Sequence, residues 1–158
     1  MKKGVILRND RKWIRKKRKI NIVRQVLRDY GIDLEDIDGI REEIKEKRSK
    51  LNAIKSSNAQ TDPVQGGGTS QEDKTIKILD EISDLEASIK EIKKDIEIVE
   101  NAINSLDDNA MVGIVYRVWV QRIETIRSIA YRYNMPSSTA WYKSNAALLS
   151  IYRKLFKG

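Results

Sequence analysis

The sequence predicts an all-α protein: a long helical hairpin or coiled coil followed by a C-terminal helix-turn-helix domain. Three observations predict it. Glycine and proline are scarce, 8 and 2 of 158 residues, while charged residues make up 34% of the chain, which is the composition of long solvent-exposed helices. Apolar residues between Ile78 and Leu106 recur in an unbroken 4–3 rhythm, the signature of a narrow helical seam. Beyond Asn109 the rhythm broadens to that of short globular helices punctuated by turn residues.

Residues 1–31 read as a basic N-terminal helical arm. Ile20, Val23, Val26, Leu27 and Tyr30 form an apolar stripe, and the helix is expected to stop near Gly31. Ahead of the stripe, Arg15, Lys16, Lys17, Arg18 and Lys19 are candidate contacts to a DNA backbone, adding affinity without sequence preference. A disordered arm and an RNA contact fit the same run.

Residues 32–55 read as a first coiled-coil helix carrying Ile37, Ile40, Ile44, Leu51 and Ile54, with Lys47 standing where an apolar residue would complete the series. Residues 56–72 read as a flexible linker, because small polar residues, Pro63 and Gly66-Gly67-Gly68 have no face to bury. Residues 73–108 read as a heptad helix, started by Ser70 or Asp73 and ended by the stretch Leu106 to Asn109. Its seam is Ile78, Ile82, Leu85, Ile89, Ile92, Ile96, Val99, Ile103 and Leu106. One seam needs a partner helix. The first helix folded back supplies one, and a second copy of the chain supplies another. A homo-oligomer is therefore expected, with a dimer favoured and its order left open by isoleucine at both seam positions.

Residues 109–158 read as the DNA-binding domain. Met111, Ile114, Val115 and Val118 mark a first helix; Thr125 caps a second, whose inward residues are Ile126, Ile129, Ala130 and Tyr133. Asn134 suits a turn with positive φ. Pro136 to Thr139 open a third helix that buries Ala140, Ser144, Ala147, Leu148, Ile151 and Leu155. Small Ala130 and Ala140 permit the close crossing that a helix-turn-helix needs. Ser137, Ser138, Thr139, Trp141, Tyr142 and Asn145 then become the candidate base-edge contacts of a recognition helix. Trp141 serves equally as a cover for the small core. Arg122, Arg127, Arg132 and Lys143 are the candidate phosphate contacts around it.

Charge follows the same division. Residues 1–28 carry 12 Lys/Arg against one acid, residues 29–108 carry 11 against 21, and residues 109–158 carry 8 against one. Two basic ends flanking an acidic middle are the footprint of a polyanion binder. The opposing reading is a solvated surface that only keeps the protein dispersed. The chain contains no histidine and no cysteine, which removes Ser-His-Asp hydrolysis, thiolate zinc sites and histidine haem ligation. Gly66-Gly67-Gly68 lacks the Lys-Ser/Thr and the strand of a phosphate loop. No catalytic residue, metal or cofactor is expected. No apolar run approaches the length that spans a membrane, and no apolar core follows the basic start as in a secretory signal.

Residues 37–155 resemble the phage late-transcription regulators of the RinA/ArpU type, found in phages and prophages of Gram-positive bacteria. The likeness is carried by the linker Ser56 to Gly68, the heptad helix 74–106 closing in Asn104-Ser105-Leu106, and the Ile126–Tyr142 segment. That last segment is similar to the promoter-reading region four of sigma factors. The chain differs from the family's turn in having Asn134 and Pro136-Ser137-Ser138-Thr139. The resemblance implies a double-stranded DNA binder in the bacterial host cytoplasm that recruits host RNA polymerase to late genes. A small terminase subunit and a structural coiled-coil protein are the alternatives: the first predicts large rings, the second no salt-dependent DNA affinity.

Overall fold

The structure is a computed structural model that describes residues 8–60 and 68–157; every regular element among them is helical. Helix α1 is Arg8–Gln60 and α2 is Gly68–Asn104. Helix α3, Asn109–Ile114, continues into a π-helical stretch over Val115–Val120, and α4 (Ile126–Arg132) and α5 (Ser137–Phe156) complete the chain. None of these helices is long and apolar enough to cross a membrane. The chain divides into two compact units, Met1–Ile32 with Asp95–Gly158 and, separately, Asp33–Lys94.

Helix α1 corrects the expected stop near Gly31. The apolar register runs straight through it. Val23, Leu27, Tyr30, Ile37, Ile44 and Leu51 are all buried and fall on one 4–3 series, with Leu34, Arg41 and Arg48 at the positions between. Arginine at two seam positions disguises the continuity. Gly31 is a point of close approach rather than an end: a methyl group there would lie 2.7 Å from the carbonyl oxygen of Val120.

The linker expected over 56–72 is shorter in the structure. Residues 56–60 continue α1 and residues 68–72 open α2, so Ser70 and Asp73 lie inside α2 instead of capping it. After Gly39 the first residue that breaks helices is Pro63. Residues 61–67, which hold Pro63 and the first two glycines of the triplet, lie outside the described residues.

Within Asp33–Lys94 the two long helices run antiparallel. Ile54 shares a hollow with Lys74 and Ile78, whereas Arg41 and Ile44 share one with Glu86. The partner that the α2 seam requires is therefore α1 of the same chain. Ile37, Ile44, Leu51 and Ile82 are buried, while Ile78, Leu85, Ile89 and Ile92 are half-buried. Lys47, the polar interruption of the first series, donates to Glu81 at 2.8 Å, and Arg48 donates to Glu86 at 2.9 Å. This one hydrogen bond, donated by Lys47, holds the Glu81 carboxyl below its ordinary value and holds the Lys47 ammonium above its own. Ion pairs that solvent reaches contribute little to stability.

In the other unit, Ile114, Val118, Ile126, Ile129, Ala130 and Ala140 form a core, with Trp119 and Met135 packed on it. Val23 and Leu27 of α1, Ile103 of α2 and Leu148 and Ile151 of α5 are fully buried in the same unit. Tyr30 donates to Glu100 at 2.9 Å and meets the ring of Tyr116 at 6.5 Å. Burial of Tyr30, with hydrogen bonding to Tyr116 and Glu100, raises its pKa far above the usual phenol value.

The two glycines of α1 give opposite expectations. A methyl at Gly39 meets nothing within 4 Å, so Gly39→Ala raises stability by about 0.5–1 kcal/mol through helix propensity alone. Gly31→Ala gains the same propensity but overpacks against the Val120 backbone at a cost of about 1–3 kcal/mol, for a net loss of up to about 2.5 kcal/mol. Urea melts of the two variants against the parent chain check both signs.

Candidate nucleic-acid interface

The short helix α4 and the long helix α5 are built around a four-residue turn. Thr125 stands extended before α4 and its Oγ1 accepts the Ser128 N–H at 3.1 Å, a normal N-cap. The helix is closed by Asn134, whose φ of 53° lies in the left-handed region, where asparagine is tolerated better than most residues. The Met135 N–H donates to the Ala130 carbonyl at 3.0 Å, and Pro136, in extended backbone, turns the chain into α5. Ala130 and Ala140 are buried on either side of the turn. Pro136 takes the cap position, and no side chain caps the first turn of α5. Tyr133, expected inward, is 37% exposed; its hydroxyl lies across Gly113, where a methyl would overlap it. Leu155, also expected to be buried, is half-buried.

Two polar contacts set the attitude of α5, and a third group of charges lies beside it on α4. Trp119 donates its indole N–H to the fully buried Ser144 hydroxyl at 2.9 Å. The Arg24 guanidinium of α1 lies over the other side of this joint, 4.3 Å from the Trp119 ring centre. Asp108 caps α3, accepting the Ala110 N–H at 2.8 Å, and its other oxygen accepts from Lys143 of α5. The hydrogen bond from Lys143, with that from the Ala110 backbone, holds the Asp108 carboxyl below its usual range. Glu124, the only acid after Asn109, accepts from Arg132 Nε at 2.9 Å and lies 3.9 Å from Arg117. The bond from Arg132 lowers its carboxyl too.

The six residues expected to read bases divide accordingly. Ser137, Ser138, Trp141 and Tyr142 are exposed, whereas Thr139 and Asn145 are half-buried. Among the expected phosphate contacts, Arg122 and Arg127 are exposed and form no ion pair among the described residues. Lys143 and Arg132 are engaged, by Asp108 and Glu124. Arg122 adopts a φ of 58° at the end of the π-helical stretch, where the Gln121 N–H donates to the Tyr116 carbonyl at 2.7 Å. Arg15, Lys16, Lys17 and Arg18 are exposed on α1, and Lys19 is half-buried.

The structure also joins what the sequence keeps apart. The basic start of α1 and the basic α5 line one groove of about 760 Å³. Lys16, Lys17, Lys19 and Arg24 supply one wall, Trp141, Tyr142 and Asn145 another, and Arg153 and Lys157 close the far end. Lys19 Nζ sits 5.3 Å from the ring centre of Tyr152, a direct tie from α1 to α5. No acid lines the groove, because none occurs in residues 11–28 or 125–158. Trp13, Trp119 and Tyr152 are the residues that sequence reasoning missed here; the only available signal was the pairing of aromatics with cations in both segments.

Residues 53–151 match the profile of a family described as proteins of unknown function, DUF1492, and the chain belongs to that family. No curated protein and no solved structure matches it. The matched span takes in α2 through most of α5 and excludes the basic start of α1.

Asp108 gives a pH prediction. Its carboxyl is stabilised as the anion in the folded chain, so this contribution is present above the ordinary carboxylate range and is lost as pH falls through it, below about pH 4. Asp108→Ala removes the cap and costs about 1 kcal/mol at neutral pH. Thermal melts at pH 6 and pH 3 then show a smaller acid loss for this variant than for the parent chain.

Proposed function

We propose that this protein is a sequence-specific DNA-binding transcriptional regulator of the RinA/ArpU type, in which α4 and α5 act as a helix-turn-helix. The observation that carries this reading is the α4–turn–α5 pair, tightly closed by Asn134 and the buried alanines, set in a stretch with no acid after Glu124. In this reading the first turns of α5 enter the major groove. Ser137 and Ser138 then meet base edges, and Tyr142, 73% exposed, meets a thymine methyl or a phosphate. Arg122 and Arg127 neutralise phosphates beside the helix, and the uncapped N–H groups at its start suit another. Glu124 holds Arg132 at the rim instead of repelling the DNA.

The resemblance to late regulators adds activation with host RNA polymerase to this reading. Self-association rests on α2, where Ile76 and Leu79 remain about half exposed beside a seam that α1 only partly covers. A two-fold dimer would place its reading helices on half-sites about 34 Å apart, one helical turn of DNA.

The reading is tested by enriching a random duplex library on the protein, then titrating the enriched site against a scrambled one at two salt concentrations. The expected result is a preference that survives the higher salt. Ser138→Ala lowers that preference several-fold, while Arg127→Gln weakens all sequences alike and reduces the salt slope by about 1. Equal binding to both duplexes that collapses with salt would contradict it.

A further inference from the structure

We infer that the groove between the start of α1 and α5 is a binding site for an unpaired nucleic-acid strand. The inference stands on α1 as well as α5 and does not depend on the helix-turn-helix reading. Its first support is the alternation of rings and cations. Trp13 is 61% exposed and Trp141 is 46% exposed, and both line the groove with Lys16 and Lys17. Rings of this size are ordinarily covered, and left half-open in a charged groove they offer flat apolar faces on which a planar base can stack. The cations are held against the rings: Lys17 Nζ lies 5.2 Å from the Trp13 ring centre.

The second support is an unmet donor. Arg24 lines the groove, and its buried Nε has no hydrogen-bond partner among the described residues. Its burial depresses the guanidinium pKa, yet arginine remains a cation. With no acid on the groove walls, the Nε donor is left for a ligand's acceptor.

Phosphates and bases of one unpaired strand use both features together. The phosphates pair with the lysines and arginines, while the bases stack on tryptophan and tyrosine faces. A duplex presents phosphates but keeps its base faces stacked inside, leaving the rings idle. An acidic polypeptide satisfies the cations and likewise leaves the rings without partners.

The test uses the full chain and fluorescein-labelled 15-nucleotide oligo-dT, oligo-rU, a blunt duplex and polyglutamate of matched charge. Anisotropy measures affinity, and quenching of intrinsic tryptophan fluorescence reports stacking. The expected result is tighter binding of one or both single strands than of duplex, with quenching; which strand binds more tightly assigns DNA or RNA as the source. Trp13→Ala weakens the strand about ten-fold, the loss of one stacked base, and Trp13→Phe restores most of it. Lys17→Gln lowers the salt slope by about 0.7, one phosphate of a single strand. Because Trp13 lies outside the α4–α5 pair, Trp13→Ala leaves preference among duplex sites unchanged, so failure here is separable from failure of the duplex reading. Duplex binding as tight as single strand with Trp13→Ala neutral would overturn the proposal in favour of a phosphate-only groove. Polyglutamate producing the same affinity and quenching would overturn it in favour of an acidic polypeptide.

Discussion

Trp119 is the joint on which the unit holding α3 to α5 depends. Its ring packs on the core of α3 and α4, its indole N–H satisfies Ser144 inside α5, and its face receives Arg24 from α1. Each pairing answers a separate physical demand. A buried hydroxyl needs a partner, the indole is a donor only, and a desolvated guanidinium is tolerated over an aromatic face. One side chain thereby ties the beginning, middle and end of the sequence into one unit. Ser144 lies two turns into α5, so its bond to Trp119 fixes the rotation of that helix and decides which residues of its first turns face outward.

That joint holds two like-charged segments together against their repulsion. The opposing terms are unequal. Val23 and Leu27 are fully buried, and burying such side chains contributes about 1.5–3 kcal/mol each. The repelling lysines and arginines point mostly to water, where salt screens them over about 8–10 Å. The fold therefore tolerates a concentrated positive face without removing its field. A polyanion laid on that face would relieve the residual repulsion.

Local signals were largely legible in the sequence. The α2 seam, the Thr125 cap, the positive φ at Asn134 and the inward alanines follow from spacing and residue chemistry, and each is an interaction within a few residues. Long-range relations were less legible. Arg41 and Arg48 on the α1 seam hid a register that passes through Gly31, because their aliphatic stems can lie along a seam that a count of apolar residues reads as broken. Lys143 and Arg132 read as free phosphate contacts until the fold brought Asp108 and Glu124 to them. The groove itself could not be read, since nothing in a linear pattern says that residues 13–24 and 141–157 share a surface. The pairing of aromatics with cations, in two stretches without acids (residues 11–28 and 125–158), was the trace it left in the sequence.

Val23 to Tyr30 of α1 fold as one unit with α3 to α5. Native-state hydrogen exchange of the full chain under increasing denaturant tests this most directly. Amides of Val23–Tyr30 are expected to open with the same free energy and denaturant dependence as those of Ala140–Ile151. Earlier, independent exchange of Val23–Tyr30, with α5 still protected, would contradict it: the basic start of α1 would then be a separate arm, and the shared groove would not be a feature of the folded protein.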